Sequence, residues 1–134
     1  MGTTIETTNN ALEWVAETLK IAKNWEAEIM PETLGSPIIA KQLDFFFIRI
    51  MTEKDKNKID RDAVIAIVGS LLGQMFVEKY GYQWKVIEDS MGQDLVVENP
   101  ANAYWLFPYS VVQQRVDARE VGFVTKLEAM LQNI

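Results

Sequence analysis

The chain has 134 residues, 49% of them hydrophobic, and a net charge of −6. A chain of this length and composition is expected to fold as a single domain over residues 1–134 around a packed core. It contains neither cysteine nor histidine, which excludes disulfides, thiolate nucleophiles, Cys/His zinc sites and Ser-His-Asp triads.

The charged residues are mixed along the chain and form no basic patch. The densest group, "EKDKNKIDRD" at 53–62, has four basic and four acidic residues. Neither nucleic acid nor an anionic membrane surface is therefore expected as a partner, whereas a basic protein would suit the net charge. The amino terminus lacks the basic and then apolar order of a secretory signal, so we expect a cytoplasmic protein.

A first helix is predicted from about Asn10 to Ile29, after a polar, frayed segment at 1–8. Asn10 and Glu13 have the spacing of a capping box at its start. The positions at helical spacing that we expect in the core are Leu12, Val15, Ala16, Leu19, Ala22 and Ile29. The large apolar side chains along one border of this stripe are Trp14, Ile21 and Trp25. This border predicts that the helix contacts two neighbours.

A second helix is predicted to begin at Ser36 and Pro37, a capping residue and a preferred first helical residue, and to end near Thr52. Its expected core positions are Ile39, Leu43, Phe46, Phe47 and Ile50. Phe45 and Ile48 point away from that stripe on a helical wheel. Another part of the chain, a second subunit or a protein partner is therefore expected to cover them.

A third helix is predicted from Asp60 or Asp62 to Tyr80, where Gly81 suits a left-handed cap. Residues 63–77 are apolar on nearly all sides, which predicts a central position in the domain. This apolar run is shorter than the roughly twenty residues that a membrane-spanning helix needs.

Two glycines, Gly69 and Gly73, lie one turn apart on the third helix. In a buried helix this spacing predicts that a neighbouring helix or sheet packs closely against its backbone. The glycines of the chain form neither G-x-G-x-x-G nor a P-loop pattern, so no phosphate-binding loop is expected.

After residue 81 the apolar residues change from helical spacing to the alternation that is typical of strands. "YQWKVIE" and "DLVVEN", joined by a turn with Gly92, predict a β-hairpin in which Trp84 and Val86 pair with Leu95 and Val97. A short third strand is expected at 103–107, because an isolated hairpin is barely stable.

Two more helices are expected after the sheet. The first starts at Pro108 or, with a capping box, at Ser110. The second starts near Val121. The residues that this last helix is expected to bury are Phe123, Val124, Leu127, Met130 and Leu131.

The acids of the hairpin, Glu88, Asp89, Asp94 and Glu98, are the first candidates for metal ligands or for acid–base chemistry. Their spacing matches no calcium loop, so we expect exposed turn acids, no metal and no cofactor.

Arg115 stands in an otherwise apolar helical run and is expected to pair with Asp89, Asp94 or Glu98. The alternative is a small-ligand or enzymatic site between the hairpin at 82–98 and the helix at 108–117. The residues that would form this ligand site are Arg115, Asp89, Trp84, Tyr104 and Trp105.

The segments "GSLLGQMFVEKYGYQWKVIED", "GQDLVVENP" and "FPYSVVQQRV" within 64–131 resemble a family of small bacterial domains of unknown function. The matching positions are Gly69, Gly73, Trp84, Asp89, Gly92, Leu95, Pro100, Phe107, Pro108, Val112 and Arg115. The resemblance implies a bacterial source and an α+β fold, and it implies no activity. The loop around Trp105 and the two amino-terminal helices depart from the family pattern.

Together these patterns predict an α+β fold. An amino-terminal layer of three helices packs on a small antiparallel sheet of two or three strands, closed by carboxy-terminal helices. The charge and the surplus apolar surface favour a non-enzymatic protein-interaction or accessory module, such as a toxin-neutralising protein, whose partner is another protein or a second copy of the chain. The interface residues are expected to be Phe45, Ile48, Trp14, Ile21 and Trp25.

Overall fold

The computed structural model describes residues 3–5, 9–57, 60–90 and 92–132. Its elements are β1 (Thr3–Ile5), α1 (Asn9–Ile29), a 3₁₀ turn (Pro31–Thr33), α2 (Ala40–Asn57), α3 (Arg61–Tyr80), β2 (Gln83–Asp89), β3 (Gly92–Glu98), β4 (Trp105–Leu106), α4 (Pro108–Ala118) and α5 (Phe123–Leu131). The α+β class and the order of helices, hairpin and closing helices are therefore as the sequence predicts.

The four strands form one antiparallel sheet in the order β1-β2-β3-β4. Val86 pairs with Leu95 and Trp84 with Val97, which is the predicted hairpin register. The predicted third strand is limited to the two residues of β4, which pair with the end of β3. Trp84 and Val97 on one face of the hairpin join the core, and Ile87 and Val96 on the other face are also buried.

The sheet gains an edge strand that the sequence does not predict. Thr3–Ile5 pairs with β2, opposite residues 86–88, so the prediction of a frayed segment at 1–8 is wrong for 3–5. Residues 1–2 and 6–8 lie outside the described residues. Backbone hydrogen bonds to the open edge of β2 hold this strand, and such bonds do not depend on apolar side chains. The polar composition of the segment is therefore a poor guide to its structure.

Helix α3 lies at the centre of the fold, as predicted. It follows Asp60 and ends where Gly81 adopts a φ of +74°. Its buried residues are Val64, Ile67, Val68, Gly69, Ser70, Leu72, Gly73, Met75 and Phe76. Within the described segments α3 is the one helix long and apolar enough to cross a membrane, yet α1, α2, α4 and the hairpin all pack against it.

The two glycines of α3 are the points of closest packing. A Cβ atom on Gly73 would lie 2.7 Å from Cζ2 of Trp84, and one on Gly69 would lie 2.9 Å from Cε1 of Tyr109. Both residues are buried. The prediction that these glycines admit a close neighbour is confirmed, and the neighbours are an indole from β2 and a phenol from α4.

Helix α2 begins at Ala40, later than the predicted start at Ser36. Gly35 turns the chain with a φ of +85°, and residues 37–39 precede the helix, whose first hydrogen bond runs from the N–H of Leu43 to the carbonyl of Ile39 at 3.0 Å. Ile39 therefore lies outside the helix and is exposed, contrary to its predicted place in the core. The rest of the stripe, from Leu43 to Ile50, is buried, while Phe45 and Ile48 are exposed.

The buried face of α1 also differs from the prediction. Leu12 and Ala16 are exposed, whereas Thr18 is buried together with Val15 and Ala22. The Thr18 hydroxyl donates to the carbonyl of Trp14 at 2.7 Å, so its polar group is satisfied within the helix. The buried face of α1 therefore includes Thr18 and excludes Leu12 and Ala16.

Helix α5 receives its amino-terminal cap from α2. The residue before α5 is Gly122, which has no side chain to offer. The buried carboxylate of Asp44 instead accepts the N–H groups of Val124 at 2.8 Å and Thr125 at 3.0 Å, and the Thr125 hydroxyl at 2.6 Å. One residue therefore fixes the closing helix on the amino-terminal layer. Met130, at the other end of α5, is exposed rather than buried as predicted.

Gly73→Ala is expected to lower the free energy of unfolding by about 1–3 kcal/mol, because the added methyl group overpacks the contact with Trp84. Alanine would otherwise favour a helix by about 1 kcal/mol over glycine. Urea denaturation measures the change. In a double-mutant cycle with Trp84→Phe the two losses should be less than additive, and a stabilised Gly73→Ala variant would contradict the close contact.

Asp44→Asn is expected to lower the free energy of unfolding by about 1–3 kcal/mol, since the amide offers one acceptor where the carboxylate serves three donors. Asp94→Asn, on the exposed surface of β3, is the control and should stay within about 0.5 kcal/mol of the parent. Equal effects of the two substitutions in thermal unfolding would argue against the cap.

Candidate functional site

Three of the predicted ligand residues meet in one groove. Tyr104, Trp105 and Arg115 line a cavity of about 340 Å³ between β4, α4 and α5, together with Lys126 and Met130. Its volume lies within the range of small-molecule sites. The segment before α4 therefore forms one wall of a groove as well as a corner of the fold.

Hydrogen bonds in the loop before β4 hold the aromatic wall. The side chain of Asn99 accepts the N–H of Ala101, and that of Asn102 accepts the N–H of Tyr104, both at 3.0 Å. The indole N–H of Trp105 donates to Glu98 at 2.8 Å. Short polar side chains thus form the turn, and a β3 carboxylate orients the tryptophan.

Arg115 lies in the last turns of α4. The helix ends with Arg119 in the left-handed region, and the N–H of Glu120 donates to the carbonyl of Arg115 at 2.9 Å. These bonds form a Schellman ending, which brings Glu120 back onto the helix. Nη1 of Arg115 then donates to the Glu120 carboxylate at 2.5 Å, and the guanidinium carbon lies 5.9 Å from the ring of Phe123.

The pairing predicted for Arg115 is therefore wrong for the acids that the structure describes. Glu98 accepts from Trp105, Asp94 is exposed on β3, and the salt bridge is made by Glu120. The side chain of Asp89 lies outside the described residues. No group of three metal-binding side chains occurs among the residues described.

Trp84 lies outside the groove, although the sequence placed it in the same site. Its ring stacks on Tyr109 at 6.2 Å between centroids, and its Nε1 donates to Gln74 at 3.0 Å. The Tyr109 hydroxyl is 2.8 Å from that of Ser70. Burial raises the pKa of Tyr109 well above its usual value. Trp84 therefore packs from β2 against α3 and does not line the groove.

The predicted interface residues are mostly exposed. The exposed fractions are 45% for Trp14, 49% for Ile21, 47% for Phe45 and 38% for Ile48. Trp25 is partly buried and packs against the core. The rings of Trp14 and Tyr109 meet in a T-shaped arrangement, with their centroids 5.5 Å apart. The indole of Trp14 therefore packs on Tyr109 and remains partly exposed to solvent.

Sequence reasoning missed two charged residues of the groove, Glu120 and Lys126. Their positions depend on how α5 turns back against α4, and no local pattern signals that turn apart from Gly122. In the sequence, the Schellman ending is indicated only by the spacing of five residues between Arg115 and Glu120. Its left-handed position is occupied by Arg119 rather than by the usual glycine.

A family model described as "Domain of unknown function (DUF3806)" matches residues 44–126. No curated protein matches the chain. A crystal structure at 1.50 Å resolution from Bacteroides thetaiotaomicron VPI-5482 is similar, with a TM-score of 0.69 and 12% sequence identity. The match covers 89% of this chain and 42% of that chain, so the present chain spans less than half of its length. At this identity the similarity shows the fold alone.

Stability is expected to fall above pH 10 in part because of Tyr109. Its pKa is raised in the folded state from an ordinary value of 10.0, so the unfolded chain loses this proton first and unfolding is favoured as the pH rises. The contribution is about 1.4 kcal/mol per pH unit between the two pKa values. Denaturation of Tyr109→Phe across this range should show a shallower loss than the parent, and parallel curves would refute the assignment.

Proposed function

We propose that this chain, which belongs to the family described as domain of unknown function (DUF3806), is a non-enzymatic module that binds a protein partner. The observation that carries the proposal is the exposure of four large apolar side chains on α1 and α2. Each of Trp14, Ile21, Phe45 and Ile48 exposes more than a third of its surface. Apolar side chains that cluster on a surface are typical of interaction sites.

The positions of these side chains support a contact surface on each helix. Phe45 and Ile48 are three residues apart on α2 and therefore adjacent on one face. Trp14 and Ile21 are seven residues apart on α1 and also share a face. Aromatic residues of this kind contribute most to the binding energy of protein interfaces.

The charge of the chain supports a basic partner. The net charge is −6, and the exposed surface of α1 carries three glutamates, Glu13, Glu17 and Glu28, against two lysines. Complementary charges speed association and discriminate against acidic proteins. An accessory or toxin-neutralising role, in which the chain covers a basic protein, agrees with this surface. A second copy of the chain, which is equally acidic, fits it less well.

A second candidate function is small-ligand binding in the groove of β4, α4 and α5. The observation that favours it is the arrangement of Arg115 beside Tyr104 and Trp105. Catalysis there would depend on carboxylates, lysine or tyrosine, because the sequence has neither histidine nor cysteine. We therefore treat the groove as a binding site.

Phe45→Glu is expected to abolish partner binding while the chain stays folded, because a charge at the centre of an apolar contact is left without water. The protein and its variant are compared as baits for affinity capture, and light scattering gives the solution mass of each. A stoichiometric protein retained by the parent alone, or a mass above one chain that is lost in the variant, supports the proposal.

Lys23→Gln is the charge control, because it lowers the net charge by one as Phe45→Glu does and lies on the exposed surface of α1, on the side of that helix away from Trp14. It should behave like the parent. If the Phe45→Glu protein is folded by circular dichroism and keeps the parent's mass and captured proteins, α2 is not an interface.

A further inference from the structure

The groove between β4, α4 and α5 is locally positive in an acidic chain. Arg115 and Lys126 contribute two positive charges and Glu120 one negative charge, whereas the whole chain has a net charge of −6. The other walls are aromatic or aliphatic, with Tyr104 and Trp105 on one side. A ligand that suits these walls has an anionic group and an apolar body.

Among the described contacts, one nitrogen of the Arg115 guanidinium is engaged and another has no hydrogen-bond partner. Nη1 is bonded to Glu120, while Nε is buried without a hydrogen-bond partner. The Nε–Nη2 edge is a fork that a carboxylate can meet with two parallel hydrogen bonds. The Arg115 side chain is 36% exposed, and binding at this edge requires the guanidinium to rotate until the buried Nε faces the groove.

Trp105 and Met130 supply apolar surface of the groove for the body of the ligand. Trp105 is oriented by its bond to Glu98, so its ring presents a fixed apolar face. Met130 is 58% exposed at the far end of α5 and lines the same groove. An unbranched, flexible methionine adapts to a flat apolar partner and contacts aromatic rings favourably.

We propose that this groove binds a small aromatic carboxylic acid, whose carboxylate is held by Arg115 and Lys126 and whose ring lies against Trp105 and Met130. The proposal deepens the second candidate function and rests on it. It is independent of the apolar surfaces of α1 and α2, so either can fail without the other.

The test is an NMR titration of the folded, nitrogen-15-labelled chain with 2-naphthoate. We expect saturable shifts of the Trp105 indole N–H and the Arg115 Nε–H. The neutral alcohol 2-naphthalenemethanol should bind at least about tenfold more weakly, since it lacks the charge-assisted hydrogen bonds. Inorganic phosphate should bind weakly too, because it has no apolar body.

The variants separate ligand contact from folding. Arg115→Gln should weaken 2-naphthoate binding by about tenfold or more, and Lys126→Gln by a smaller factor. Arg115→Gln removes the salt bridge to Glu120 and can therefore lower stability. Lys126 is exposed, so Lys126→Gln leaves the fold intact and tests ligand contact alone. Lys23→Gln and Phe45→Glu should bind 2-naphthoate as the parent does.

Several results would overturn the proposal. They are the absence of a saturable shift at millimolar 2-naphthoate, shifts confined to another surface, equal affinity for the neutral alcohol, and unchanged affinity in both Arg115→Gln and Lys126→Gln. Phosphate binding as tight as that of 2-naphthoate would show a simple anion site and would also overturn it.

Discussion

The close approach of two aromatic rings to the backbone of α3 is the constraint on which the rest of the structure depends. Gly69 admits the ring of Tyr109 and Gly73 admits that of Trp84, and the two rings stack on each other. The contact at Gly73 therefore fixes the hairpin on α3, and the contact at Gly69 fixes α4 on the same helix. Side-chain hydrogen bonds to Ser70 and Gln74 give the polar atom of each ring a partner within the structure.

The groove follows from this arrangement. Because α4 is held on α3 through Tyr109, Arg115 two turns later is carried to the side of the fold where β4 ends. The second fixed point is Asp44, which holds the start of α5 on α2, while Phe123 meets the ring of Phe47 edge-on at 5.2 Å. The groove therefore lies between a helix anchored on α3 and a helix anchored on α2.

The sequence predicts the parts of this fold that depend on local patterns. The limits of α3, the hairpin register and the close packing at Gly69 and Gly73 all follow from spacing and from residue type. The family of unknown function is also confirmed, since its model spans 44–126. A glycine at the end of α3 and alternating apolar residues in the hairpin leave few alternatives for these elements.

The features that the sequence does not predict are contacts between distant residues. Asp44 caps a helix that starts 80 residues later, and nothing near either residue signals the pairing. Arg115 is paired by an acid that a left-handed residue returns to the helix, rather than by the hairpin acids that composition suggested. Of the predicted ligand site, Tyr104, Trp105 and Arg115 come together and Trp84 does not, because the glycine at position 73 admits its ring into the core.

Trp84 is enclosed in the core contact on α3, whereas Trp14 of α1 touches Tyr109 and leaves 45% of its surface exposed. Hydrogen exchange of the indole N–H groups, followed by NMR, tests this claim directly. We expect the Trp84 indole to exchange only when the whole domain unfolds, with the same opening free energy as the amides of α3, and the Trp14 indole to exchange rapidly. Fast exchange of Trp84, comparable to that of Trp14, would contradict the account.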